Sequence, residues 1–307
     1  MKQAKLILLR HGQCEGGNIL RGKTDVSLTP LGLANMQASV KKLGLNNLAN
    51  SLLIFSSPLI RCSLFAEAFA ADINQARLFS ESIDNKTQVA ASANSSLNQE
   101  QEQMQEQKQA KNLLLQANLL PQLKEVDFGD WDGQSFDALY QAHPQALDQY
   151  WDNPWDNTPP NGEPMPDFEA RVTQGLALIT AMLHKQLESS KALSGQDSKQ
   201  ESGQDSGQGS GEESTATALV VTHGGVIRHI IGQVLVLERC KGLYAQLAID
   251  YAASVTIDVY WPESQANTDG DNSVSDKAGS PEAAMVDENK QAHSAAIKPV
   301  YRLNWPS

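Results

Sequence analysis

The stretch KLILLRHGQ, residues 5–13, decides the fold. Leu6, Ile7, Leu8 and Leu9 form a short, continuous apolar run, the pattern of a strand buried on both faces of a parallel sheet. The run ends abruptly on a guanidinium, an imidazole and a glycine: Arg10, His11 and Gly12. A core strand has no structural need for that ending, so the three residues are candidates for a site at the strand's C-terminal end.

Two further strands end in the same way. LLIF (52–55) runs into SSPLIRC, where Ser57 is expected to cap a helix, Pro58 to start it and Arg61 to sit in its first turn. The run at 218–221 in ALVVTHGGVIRHIIG leads through Thr222 and His223 to a glycine pair and an apolar helix. Between the first two strands, LTPLGLANMQASVKKLG predicts a helix capped by Thr29, opened by Pro30, with Leu33, Met36, Val40 and Leu43 on one face. Strands alternating with helices predict a three-layer α/β/α domain around a mostly parallel sheet.

In open sheets of this kind ligands bind along the C-terminal strand edge, where helix N-termini also point their N–H groups. Two guanidiniums, two imidazoles and helix N-termini at one edge describe a phosphate pocket, since Arg grips phosphoryl oxygens by paired hydrogen bonds. Taken singly, an Arg after a strand is usually a surface charge and a His before Gly usually a turn residue; their coincidence at three strand ends carries the argument. His143, His184, His229 and His293 show no such placement and read as structural or exposed.

Three segments have a different composition. Residues 86–112 are rich in Gln, Asn and Ser, 189–216 repeat SGQDS in a Gly/Ser/Gln/Asp tract, and 262–297 are rich in Asp, Ser, Asn and Ala. Such stretches bury too little apolar surface to offset ordering entropy, so they are expected to be disordered insertions in a single domain spanning 1–307. The net charge of −12 argues against non-specific nucleic-acid binding, which needs a cationic surface. Cys14, Cys62 and Cys240 have neither metal-ligand nor paired spacing. Cys14 reads as a small turn residue. The N-terminal run LILL is too short for a signal-peptide core or membrane span, and the cytoplasm is the expected compartment. DFGDWDG would place Phe128 at the first position of a calcium loop, so no metal is expected and Asp130 and Asp132 read as turn residues.

LLRHG, SSPLIRC and VVTHGG, in that order, resemble the defining motifs of the histidine phosphatase superfamily, the phosphoglycerate-mutase-like fold. RGKTDVSLTPLG resembles the segment joining its first strand to its first helix. LLPQLKEVDFGDWDGQSFDAL resembles the segment bearing its acidic proton donor. Within the family, FGDWDG…YWDNPWDNTPPNGEPMPDFEARV is most similar to the α-ribazole phosphatases. The resemblance implies a phosphohistidine at His11, phosphate contacts from Arg10, Arg61 and His223, and Glu125 as proton donor and acceptor, with no cofactor. Asp127, two residues on, is the rival acid; the motif aligns at Glu125. Asn18 resembles the asparagine that often assists the phosphate, displaced by one residue. Gln13 and Cys14 depart from the usual Glu followed by Ser or Thr.

An imidazole attacks only when neutral, and two neighbouring guanidiniums disfavour its protonated form. Fixed cations around the transferring phosphoryl group and an acid for the leaving alkoxide supply the remaining chemistry. From Glu125 to Glu169 there is no Lys or Arg, while Trp131, Tyr140, Tyr150, Trp151 and Trp155 offer a stacking wall or, alternatively, the packing of a cap. That composition points away from a second phosphate clamp. The expectation is a phosphomonoesterase acting on a small molecule, foremost α-ribazole 5′-phosphate in cobalamin nucleotide-loop assembly. The alternatives are a broad-specificity or protein-phosphohistidine phosphatase and, from another class, a non-catalytic interaction protein.

Overall fold

A computed structural model describes residues 1–48, 51–88, 114–194, 216–239, 241–262 and 298–304. The insertions expected at 86–112, 189–216 and 262–297 fall outside these residues except at their edges: 86–88 end one helix, 189–194 end another, and 216 opens a strand. Cys240 and His293 also lie outside them.

In chain order the elements are β1 (Lys2–Arg10), α1 (Pro30–Lys42), β2 (Leu52–Ser56), α2 (Ile60–Gln88), β3 (Ala117–Leu119), α3 (Phe136–Ala142), α4 (Pro144–Asp152), α5 (Met165–Ser194), β4 (Ala216–Thr222), α6 (Gly224–Val234), α7 (Lys241–Gln246), β5 (Ser254–Trp261) and β6 (Val300–Asn304). One six-stranded sheet has the order β3-β2-β4-β1-β5-β6. β3, β2, β4 and β1 are mutually parallel, and β5 runs antiparallel to both β1 and β6.

The apolar run at 6–9 is fully paired, with Leu6 to Leu9 opposite Ala218 to Val221 on one side and Ile257 to Ser254 on the other. Successive side chains point to opposite faces, so Leu6 and Leu8 join one core and Ile7 and Leu9 the other. β4 divides likewise, Ala218 and Val220 against Leu219 and Val221. The first core packs under α5 and α6 with the α3–α4 cap; the second packs under α1 and α2. Full burial on two faces is why these strands read as continuous apolar runs.

The cap of α1 is as expected, with Thr29 Oγ1 accepting from Gly32 N at 2.9 Å. Met36 and Val40 are buried, whereas Leu33 is exposed. α2 starts at Ile60, two residues later than Pro58, and Asp25 Oδ1 accepts the Ile60 N–H at 2.8 Å across 35 positions of chain. Ser57 instead binds Leu59 N (3.3 Å) and faces the site. No helix among the described residues is long and apolar enough to cross a membrane.

Candidate active site

β1 and β4 end side by side, Arg10 opposite Thr222, and His11 N donates to Thr222 O at 2.9 Å. This register brings His11 and His223 together, ring centroids 5.2 Å apart and nearly edge-on. Both rings are buried. The fully buried Arg61 reaches the pair from the first turn of α2, its Nε donating to His223 Nδ1 at 3.3 Å. Its Nη1 and Nη2 donate to the carbonyls of Thr24 (2.9 Å) and Gly22 (2.8 Å).

Those donors fix the state of both imidazoles. Arg61 Nε can only donate, so His223 Nδ1 is the unprotonated nitrogen and Nε2–H donates to Ser57 Oγ at 2.8 Å. For His11, Nδ1 lies 2.8 Å from Gly12 O, which can only accept; Nδ1 therefore carries the proton and Nε2 keeps the lone pair. Burial, then Arg61, and then Arg10 and Arg21 hold the His11 pKa down at about 3, against the raising effect of the Gly12 carbonyl. Burial and Arg61 also push His223 well below its ordinary value. The expected action of the guanidiniums is present, and desolvation outweighs it.

Arg10 is clamped by the turn before β5. Its Nη1 donates to Ile249 O, its backbone N–H to Ala253 O (3.0 Å), and Ala252 N returns a bond to His11 O (3.2 Å). Tyr251, exposed on that turn, places its ring 4.3 Å from the Arg10 guanidinium carbon and 5.8 Å from the His11 ring. Among the described residues Arg10 Nε is buried without a partner, a donor available to a ligand.

Glu125 follows the short 3₁₀ turn Pro121–Leu123 and presents Oε2 to Gly225 N at 3.0 Å, at the N-terminus of α6. The glycine pair is a spatial requirement. A Cβ on Gly225 would lie 2.3 Å from Glu125 Oε1, and one on Gly224 would lie 3.1 Å from Arg228 Nη1 and 3.5 Å from Arg10 Nε. Asp127, the rival acid, is occupied elsewhere, accepting from Gly129 N (2.8 Å) and pairing with Lys23 Nζ (3.1 Å).

Several expectations change. Asn18 is exposed, outside the buried cluster, its carbonyl accepting from Phe136 N at 3.3 Å. Cys14 is buried, not merely a turn residue, with Sγ 3.4 Å from His11 Nδ1. Asp132 does more than turn the chain: it accepts the N–H groups of Lys23 (2.7 Å) and Thr24 (2.9 Å) and the Thr24 hydroxyl. It thereby holds the loop whose carbonyls receive Arg61. Trp131 and Tyr150 are buried against Phe128, with Trp151 and Trp155 packed on the same core, so these aromatics build the cap. Tyr140 is exposed.

The sequence reading missed Arg21, Tyr251 and Arg228. Arg21 shares the RGKTD stretch and had a signal in that motif; the other two are placed by contacts no local pattern announces. Burial and Arg10 lower the pKa of Arg228 while Glu125 opposes them, and its Nε donates to Leu247 O at 2.8 Å. Among the described residues no cluster of three or more His, Cys, Asp or Glu could hold a metal ion.

The sequence profile of the histidine phosphatase superfamily (branch 1) matches residues 6–74 and 71–187. Among solved structures, a mycobacterial glucosyl-3-phosphoglycerate phosphatase is similar at 20% identity and a TM-score of 0.54, covering 85% of this chain and 92% of that one. A second mycobacterial hydrolase gives 19% identity and a TM-score of 0.55 over 99% and 91%. The α-ribazole phosphatase of Shigella flexneri gives 19% and 0.46 over 82% and 89%. No curated protein sequence matches. The family match supports a phosphoric monoester hydrolase, and the neighbours share its fold. With its profile matched over more than half its length and its sheet built as that family's is, the chain belongs to the histidine phosphatase superfamily, branch 1.

Proposed function

We propose that this histidine phosphatase is a metal-independent phosphomonoesterase working through a phosphohistidine at His11. The observation that carries the reading is the state of that ring: Nδ1–H is committed to Gly12 O, Nε2 bears a free lone pair, and the pKa of about 3 keeps it neutral at working pH.

In the first step the Nε2 lone pair forms a bond to phosphorus as the ester P–O bond breaks. The Glu125 carboxylic acid gives its proton to the departing oxygen, so an alcohol leaves rather than an alkoxide. In the second, water attacks the phosphohistidine, the Glu125 carboxylate takes its proton, and the P–N electron pair returns to Nε2. Arg10, Arg61 and the N-terminus of α6 offset charge on the phosphoryl oxygens. Both His223 nitrogens have protein partners, so its part is to orient Arg61 and, by exchanging its Ser57 bond, to donate to a phosphoryl oxygen.

For the substrate, the favoured reading is α-ribazole 5′-phosphate. Its support is the resemblance carried by FGDWDG and PNGEPMPDFEARV, the acidic segment after Glu125, and the exposed Tyr251 ring beside His11 as a stacking face. One observation favours a second reading. Arg228 adds a guanidinium next to Glu125 and Arg10, which suits an ester whose alcohol half carries a carboxylate.

The test is the stability of a trapped phosphoenzyme. A phosphoramidate survives alkali and fails in acid, and His11→Ala abolishes both label and turnover. An acid-stable label, or a label on His11→Ala, would refute the mechanism. Comparing kcat/KM for α-ribazole 5′-phosphate with carboxylated phosphate esters separates the two substrate readings.

A further inference from the structure

Arg171, on the first half of α5, uses all five N–H donors of its guanidinium. Nε and Nη2 grip Glu163 at 2.5 and 2.7 Å, a paired fork on one carboxylate. Nη1 donates to the carbonyls of Gln122 (3.0 Å) and Lys124 (2.7 Å), and Nη2 donates to that of Glu125 itself (3.0 Å). The carbonyl left over in this run, Leu123 O, accepts from Thr222 Oγ1 at 2.9 Å, the residue before His223. Four successive carbonyls of a segment with no sheet pairing are thus pinned to two side chains.

Glu163 closes the device from the other side. Its backbone N–H donates to Asp127 O (2.8 Å) and its Oε2 accepts from Asp127 N (3.3 Å), so the chain beyond Glu125 is clasped as well. Neither residue touches the buried histidines; their contacts converge on the peptide that aims one carboxylate at Gly225 N.

We propose that the Arg171–Glu163 pair is the positioning device of the proton donor Glu125, a role that rests on the phosphatase reading above. An ammonium has no planar fork and cannot serve a carboxylate and three carbonyls at once. Loosening the segment displaces the Glu125 carboxyl from the ester oxygen while leaving His11, Arg10 and Arg61 in place.

The test compares kcat/KM, which reports leaving-group departure, on p-nitrophenyl phosphate and on glycerol 2-phosphate. Nitrophenolate departs without a proton; an alkoxide does not. For Arg171→Lys and Glu163→Gln, kcat/KM on the alkyl ester is expected to fall about 30-fold or more, against less than about 3-fold on the aryl ester. In a Glu125→Gln background, Arg171→Lys adds no further selective loss. Equal losses on both esters, no loss on either, or additive losses in the double variant would overturn the role. Should Arg171→Lys fail a circular-dichroism fold check, Glu163→Gln decides, since it keeps the guanidinium and its carbonyl bonds. Wild-type protein inert to every phosphate ester would instead sink the phosphatase reading itself.

Discussion

Gly12 and Gly32 meet backbone to backbone: a Cβ on Gly12 would lie 2.2 Å from Gly32 O, and one on Gly32 would lie 2.1 Å from Gln13 O. The glycine after His11 is there for this close approach, which lets α1 start against the strand end. Gly12→Ala and Gly32→Ala are each expected to cost about 1–3 kcal/mol of stability through overpacking. Gly12→Ala should also lose most activity, because Gly12 O holds the His11 tautomer. Chemical unfolding and kcat/KM check both; a neutral Gly12→Ala would contradict the packing.

Arg61 connects the loop at 22–24 to the histidine pair through three acceptors. Lys can replace its charge but not this fan of bonds. Arg61→Lys is expected to lower kcat/KM by roughly 10²–10³, in the range of losing one preorganised donor to a developing charge. Asp132→Ala, which frees the same loop at its other end, should reduce activity in the same direction and by less, measured under identical conditions.

Acid should destabilise the fold early. His11, His223 and His229 are buried with lowered pKa values, about 3 for His11 and about 4 for His229. Each is neutral in the folded chain but takes a proton in the unfolded chain below about pH 6.5. The unfolded state therefore binds more protons, and stability falls as pH drops from about 6.5 towards 4, by up to about 1.4 kcal/mol per pH unit for each ring. Glu169, facing His229 at 3.6 Å with its carboxyl pushed up by burial, works against this trend just above the ordinary carboxylate range. Unfolding midpoints at pH 7.5 and 5.5 provide the check. By the same sign, the pH profile of kcat/KM should show no His11 inflection near 6.5.

Arg228→Ala discriminates between substrates. If the alcohol half of the ester carries a carboxylate, kcat/KM for that ester should fall roughly 10-fold or more, the scale of one charge-assisted hydrogen bond. For α-ribazole 5′-phosphate the loss should be small. Parallel kinetics on the two esters measures the difference.

The strand ends were legible because a core strand buried on both faces leaves a solid apolar run, and polar residues at its end stand out. Arg10, His11, Arg61, His223 and Glu125 all came from such endings or from ordered motifs, and α1 announced itself through Thr29 and Pro30. The start of α2 was misjudged because its cap, Asp25, lies 35 residues upstream. Arg171 and Tyr251 were invisible for the same kind of reason. Each matters through contacts with segments far along the chain, about 49 residues for Arg171 with Gln122 and 239 for the Arg10–Ile249 clamp. The aromatics after Glu125 were ambiguous, since composition cannot separate a wall facing solvent from the packed interior of a cap.

The order of the sheet has a consequence for biosynthesis. β4 sits between β2 and β1, yet it leaves the ribosome long after both. Until it inserts, the two earlier strands expose unpaired edges on apolar ribbons, the kind of surface that chaperones cover. A nascent chain halted before residue 216 holds His11 and lacks the strand whose Thr222 carbonyl receives its N–H, so the site can assemble only once β4 has been made.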